Sequence, residues 1–116
     1  MTPAEFVGCV AKEKEDMLTM CTDPESESAT AAEIRALGLT PEQTEGFNKA
    51  LNGILTDAYY SFLLGLDGAG SIGGKQRDYE LRDEDGSVLT HGELEGPAWE
   101  RFHGKTSDEN RENKPS

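Results

Sequence analysis

The sequence has few basic residues for its length and no long apolar run. Its 116 residues include 11 Lys and Arg against 23 Asp and Glu, giving a formal net charge of −12. Such a chain repels nucleic acid and anionic membranes and attracts basic partners. No apolar stretch approaches the roughly 18 residues of a membrane-spanning helix, and the first residues do not resemble a signal peptide. We therefore expect a cytoplasmic protein that binds neither nucleic acid nor membrane directly.

Cysteine and histidine are also scarce, with two of each. If Cys9 and Cys21 share one helix they lie about 18 Å apart, beyond the reach of a disulfide. Neither has a second ligand at the short spacing of zinc sites. His91 and His103 have no serine or cysteine nucleophile motif beside them. The sequence therefore predicts a protein that is not an enzyme and that has no metal and no cofactor.

The length of the chain allows one domain. The segment 105–116 contains no apolar side chain, and we expect a solvated, disordered tail there. Residues 1–104 are expected to form a single α+β domain, in which helices pack on a small antiparallel sheet.

Three helix-start signals occur in the first half of the chain. In a capping box, a Thr and a Glu or Gln three residues later satisfy each other's backbone N–H groups. Thr2, Thr30 and Thr40 begin such boxes. Pro3 and Pro41 stand at the first helical position, where a missing N–H has no cost. The expected helices are 3–21, 31–37 and 41–66.

The third expected helix carries a wide apolar stripe. Its apolar residues recur at three- and four-residue steps: Phe47, Leu51, Ile54, Leu55, Ala58, Tyr59, Phe62 and Leu63. This spacing is typical of a helix face that is buried. We therefore expect this helix to be the centre of the core, with Tyr59, Phe62 and Phe102 inside it.

The segment after Leu66 has the pattern of strands. Tyr79 and Leu81 alternate with polar residues, Asp85-Gly86 follows, and Val88 returns the apolar pattern. Asp-Gly between alternating runs is a strong hairpin signal. We predict an antiparallel hairpin near 77–90.

A fourth capping box follows the predicted hairpin. Thr90 precedes Glu93 by three residues, which predicts a short C-terminal helix carrying Trp99 and Phe102.

The glycines at 68, 70 and 73 have the spacing of a dinucleotide-binding loop. That fold needs a strand before the glycines and a helix after them. Here the glycines follow a helical stripe and precede a predicted strand, so we exclude nucleotide binding. Glycines in this arrangement allow either a tight turn or close approach to another chain. Homodimerisation through this segment is therefore an open possibility.

Three stretches within residues 59–103 read YYSFLLGLDGAGSIGG, YELRDEDGSVLT and GELEGPAWERFH. Together they resemble small acidic bacterial immunity proteins, the antidotes of toxins. The resemblance implies a non-enzymatic protein that neutralises a partner protein, most concretely a toxin domain with a basic active site. No binding residue is carried over from it.

The residues themselves suggest which part binds that partner. Acidic residues supply the field that accelerates encounter with a basic protein, and aromatic residues anchor interfaces. The expected partner-binding residues are Asp78, Asp83, Glu84, Asp85, Glu93, Glu95, Trp99, Gly70 and Gly73. One alternative is a nucleic-acid mimic that inhibits a DNA- or RNA-binding protein. Two others are a ligand-binding module or enzyme built on the glycine loop, and a stabilising subunit of a larger complex.

Overall fold

A computed structural model describes residues 1–104, and these contain four helices and no β-strand. The helices are α1 (Pro3–Thr22), α2 (Ala29–Arg35), α3 (Pro41–Leu66) and α4 (Glu95–His103). The expectation of an α+β fold is therefore wrong, because the described residues are helices joined by irregular chain. The tail predicted at 105–116 lies outside the described residues.

Helices α1 and α3 begin where the capping boxes predict. The Thr2 hydroxyl accepts from the Glu5 amide at 3.0 Å, and the Glu5 carboxylate accepts from the Thr2 amide at 2.8 Å. Thr40 and Gln43 exchange the same pair of bonds at the start of α3. Both predicted helix starts are confirmed.

Helix α2 begins two residues earlier than expected. The N-cap is Ser28, whose hydroxyl accepts from the Ala31 amide at 3.0 Å, and Thr30 lies inside the helix. Serine and threonine are both good N-caps, so the sequence offered two competing starts. The predicted box at Thr30 is wrong.

Where the sequence predicts a hairpin, the structure has one isolated β-bridge. Arg82 pairs with Val88, and the backbone N–H of Leu89 donates to the Leu81 carbonyl at 2.8 Å. The ladder then ends, because the Leu81 N–H donates to the Thr90 hydroxyl at 3.2 Å instead of to a backbone carbonyl. A two-stranded hairpin has little stability alone, and no third strand in the described residues supports it. The turn itself is present at Glu84 and Asp85.

The core is small and lies where α1, α3 and α4 meet. Its buried members are Val7, Ala11, Leu63, Leu94, Ala98 and Phe102, with Phe6, Val10, Tyr59, Tyr60 and Leu66 packed around them. Helix α2 packs on α1 alone. The predicted burial of Phe102 is confirmed and Tyr59 is half-buried. Phe62 is 53% exposed, so its predicted burial is wrong.

The glycine-rich segment closes α3 and folds back on it. Gly68 has a φ of 83°, and the amides of Gly68 and Ala69 donate to the carbonyls of Gly65 and Leu64. These two bonds form a Schellman motif, which satisfies carbonyls at a helix end. The chain then makes a two-residue turn at Gly73 and Gly74, with φ values of 62° and 82°.

This return places Ile72 directly against Gly65 of α3. A β-carbon built at Gly65 would collide with the Cγ1 atom of Ile72 and would lie 3.3 Å from the Ser71 carbonyl oxygen. The glycines of this segment therefore serve turns and close packing within the chain. Within residues 1–104, no helix is long and apolar enough to cross a membrane.

Candidate functional site

The start of α4 is held by a side chain that the sequence analysis missed. Asp67 follows α3 and is 5% exposed. Its Oδ1 atom accepts from the backbone N–H groups of Gly92 at 2.9 Å and Leu94 at 3.1 Å, and its Oδ2 atom accepts from that of Glu95 at 3.0 Å. Asp67 therefore caps the start of α4, a role that the sequence analysis assigned to a Thr90–Glu93 capping box. That predicted box is wrong, since Thr90 bonds Leu81.

The backbone just before α4 is shaped to reach Asp67. His91 and Gly92 both have positive φ angles, 71° and 89°. Positive φ is uncommon for a residue other than glycine. The reversal directs the Gly92 N–H group onto the Asp67 carboxylate, and it leaves the acids around it at the surface.

Most of the expected acidic residues lie exposed on the segment 78–95. Five of these acidic residues form no ion pair within residues 1–104. These five are Asp78, Glu84, Asp85, Glu93 and Glu95. Their negative charge is therefore directed to solvent, in a segment of 77–104 that holds 3 Lys and Arg against 8 Asp and Glu. The structure brings these acids to one irregular stretch and to the first residue of α4.

Asp83 has a different role from its acidic neighbours. Its Oδ1 atom accepts from the amides of Asp85 and Ser87, both at 2.9 Å, and its Oδ2 atom pairs with the amino group of Met1 at 2.8 Å. The bond from the Met1 amino group and the bonds from the backbone amides hold the pKa of Asp83 below its usual value. Asp83 therefore organises the turn, and its charge is already compensated.

Glu80 is a second compensated acid, and it was not among the expected residues. Its carboxylate contacts the imidazole of His91 at 3.3 Å and forms an ion pair with Arg82. The hydrogen bond to His91 and the pairing with Arg82 lower the pKa of Glu80. Glu80 thus ties the turn to the chain reversal that precedes α4.

Trp99 provides an exposed aromatic surface beside this acidic segment. Its side chain is 54% exposed, and it stands on the same face of α4 as Glu95, one turn away. The Trp99 ring meets Tyr60 edge-on with centroids 6.3 Å apart, and it lies 5.2 Å from the ring of His103. Trp99 is therefore held by neighbouring rings while one side of it faces solvent.

The two expected glycines do not join this surface. The site of a β-carbon at Gly70 lies 3.5 Å from the Cβ atom of Leu64, so Gly70 packs on α3. Gly73 occupies the two-residue turn after Ile72. Both glycines are explained by contacts within the chain.

A groove lined by residues of both charges lies between α1, α3 and α4. Its volume is about 610 Å³. Its charged lining comprises Lys14, Glu15, Lys49, Asp57 and Arg101, with His103 at the edge. Lys14 is only 8% exposed, and its ammonium group pairs with the Glu15 carboxylate at 3.0 Å. The groove therefore brings together three cations and two acids, which the sequence could not show because they come from three helices.

Comparisons with protein-family models, with curated proteins and with solved structures find no match to this chain. The resemblance to immunity proteins over 59–103 therefore stays a prediction. Function has to be argued from the surface itself.

Proposed function

We propose that this protein binds a basic partner protein through the acidic segment 78–95 and Trp99, and blocks the partner by covering its active surface. The single observation that carries the proposal is that Glu95 and Trp99 lie on the same face of α4. A carboxylate without an ion-pair partner in residues 1–104 stands one turn from a half-exposed tryptophan. Interfaces draw much of their energy from such aromatic anchors, and charge directs the encounter.

The acids that form no ion pair within residues 1–104 favour a basic protein as the partner. At physiological salt the field of surface charges extends about 8 Å, so a complementary patch must approach closely to gain from it. Asp78, Glu84, Asp85 and Glu93 flank the Glu95–Trp99 pair along the chain. A toxin domain with a basic active-site cleft, met in the cytoplasm, satisfies this requirement. In this reading the protein is an immunity protein, as the resemblance implies.

The test is a pair of charge-matched variants. The tagged protein is used to capture partners from its native host at low and at moderate salt, with mass spectrometry of what is retained. Glu84→Lys with Asp85→Lys reverses two exposed acids at the proposed surface. Glu25→Lys with Glu27→Lys makes the same change of charge between α1 and α2. We expect the first pair to abolish capture of a basic protein at moderate salt and the second pair to leave it intact.

Trp99→Ala tests the contribution of the aromatic side chain separately from that of the acidic charges. We expect this variant to weaken binding to the captured protein at least tenfold, in the range of a hot-spot truncation, with little change in the salt dependence. Equal binding by wild type, the charge variants and Trp99→Ala would refute the proposal. Capture of a DNA- or RNA-binding protein that an oligonucleotide displaces would favour the nucleic-acid-mimic alternative instead.

A further inference from the structure

Helix α3 has two apolar sides, and only one of them faces the bundle. Tyr59, Tyr60 and Leu63 pack toward α1 and α4. A second row runs along the other side at steps of four, three and four residues, and it comprises Phe47, Leu51, Ile54 and Ala58. Residues at these steps share one side of a helix. We call this row, together with Phe62, the outer face of α3.

Three of the five side chains of the outer face are exposed, and Phe47 and Leu51 are half-buried. Ile54 is 63% exposed, and Phe62 and Ala58 are also exposed. In residues 1–104, α1 and α4 are the helices that pack on α3, and they pack on its other side. Among the described residues, the chain outside the helices covers the last turn of this side, where Ile72 sits on Gly65.

The first half of α3 is turned with its polar side inward. Lys49, Asn52 and Thr56 line the groove toward α1, while Leu51 and Ile54 lie on the opposite side. A helix of a monomer normally buries its apolar side and exposes its polar side. This half of α3 does the reverse. Within residues 1–104, no helix packs on this apolar side.

The near absence of charged residues along this part of α3 bears on which partner could cover the outer face. Asp57 is the only charged residue between Ala50 and Leu66 in a chain of net charge −12. A basic protein would find almost no charge to pair with here. A second copy presents an equally uncharged apolar row. We infer that two copies of this protein pair through the outer faces of α3, as a symmetric dimer.

The sizes of the side chains favour an antiparallel pairing. When the two-fold axis passes between Asn52 and Gly53, Phe47 lies against Ala58 of the second copy and Leu51 lies against Ile54. The large Phe47 then meets the small Ala58, and Leu51 and Ile54 are of equal size, which suits close packing. A parallel pairing would set Phe47 on Phe47 and Ala58 on Ala58, so that large residues meet large ones and small residues meet small ones. The contact involves one helix per copy, which is small for a specific interface, so the dimer dissociates on dilution.

Sedimentation of the purified full chain over a range of concentrations tests this inference. We expect a monomer–dimer equilibrium whose dissociation constant rises at least tenfold in Ile54→Lys, because a lysine without a counter-charge would be buried. Leu37→Lys is the matched control, since Leu37 is an equally exposed apolar residue outside α3. It should leave the equilibrium unchanged. A monomer at every concentration, or a dimer indifferent to Ile54→Lys, would overturn the inference.

Cysteine crosslinking tests the orientation without relying on Ile54. Two variants are mixed, Phe47→Cys and Ala58→Cys, each also carrying Cys9→Ser to remove the exposed native thiol. The antiparallel register predicts that the disulfide joins one variant to the other. Disulfides formed only within each variant would show a parallel pairing and contradict the proposed register, and no disulfide at all would overturn the interface.

Discussion

Replacing the buried Asp67 by alanine should loosen the start of α4. The carboxylate accepts three backbone N–H groups from the residues that start α4. It also stands at the negative end of the α3 dipole, where a negative charge is unfavourable. The positive end of the α4 dipole offsets this. Among the side chains of residues 1–104, Asp67 alone caps the start of α4.

The expected loss follows from the surroundings of the three donors. Leu94 is completely buried, so its N–H group would lose its partner without gaining water, at about 2 kcal/mol. Gly92 and Glu95 are exposed, and water can replace their bonds, so each loss is about 0.5 kcal/mol. Asp67→Ala should therefore lower the free energy of unfolding by about 3 kcal/mol, a large part of the stability of a small domain.

Urea unfolding at pH 7, followed by far-ultraviolet circular dichroism, measures this loss. Asp67→Asn should fall between wild type and alanine, because the amide keeps one oxygen acceptor but points its NH₂ group at an N–H donor. Asp57→Asn is the control, since Asp57 is an exposed aspartate on the same helix. A loss below about 1 kcal/mol for Asp67→Ala, or equal stability of Asp67→Asn and wild type, would refute the reasoning.

Three further predictions concern the core, a glycine and a pH dependence. In urea unfolding at a dilution where the chain is monomeric, Leu63→Ala should cost about 3 kcal/mol and Ile54→Ala on the exposed side less than about 1 kcal/mol; equal losses would contradict the assignment of the two sides of α3. Gly65→Ala should destabilise by about 1 kcal/mol despite its better helix propensity, whereas Gly53→Ala, with open space around it, should stabilise by about 0.5–1 kcal/mol. Since the pKa of Asp83 is lowered from 3.8 in the fold, its carboxylate stabilises the fold above that value and ceases to as the pH falls through the folded pKa. The urea midpoints of wild type and Asp83→Asn should therefore differ at pH 6 and converge as the pH falls through the folded pKa of Asp83, which lies below 3.8.

The parts of the fold that are predictable from the sequence are those with local causes. The caps at Thr2 and Thr40 act within three residues, and α1 and α3 begin where they indicate. The cap of α4 comes from Asp67, which lies 25 to 28 residues before its donors, and no local pattern carries that information. The predicted hairpin failed for a related reason: its alternation is real, but Thr90 bonds across it and no third strand joins it.

The candidate site divides in the same way. Exposure of Glu84, Asp85 and Glu95 follows from their charge alone. The occupation of Asp83 by the Met1 amino group depends on residues 82 positions apart. The width of the α3 stripe was visible in the sequence, but its division into a buried and an uncovered side depends on where α1 and α4 dock.

The close contact of Ile72 with Gly65 and the reach of Asp67 to α4 together give a means of recognising distant relatives. A chain with this arrangement needs a residue without a side chain at the end of its long helix and a carboxylate two positions later. It also needs a residue that tolerates positive φ some 25 positions further on, where Gly92 stands here. These requirements come from sterics and hydrogen bonding, so they persist after overall identity has been lost. The spacing Gly65–Asp67–Ile72–Gly92 is thus a structural fingerprint for sequences too divergent to align.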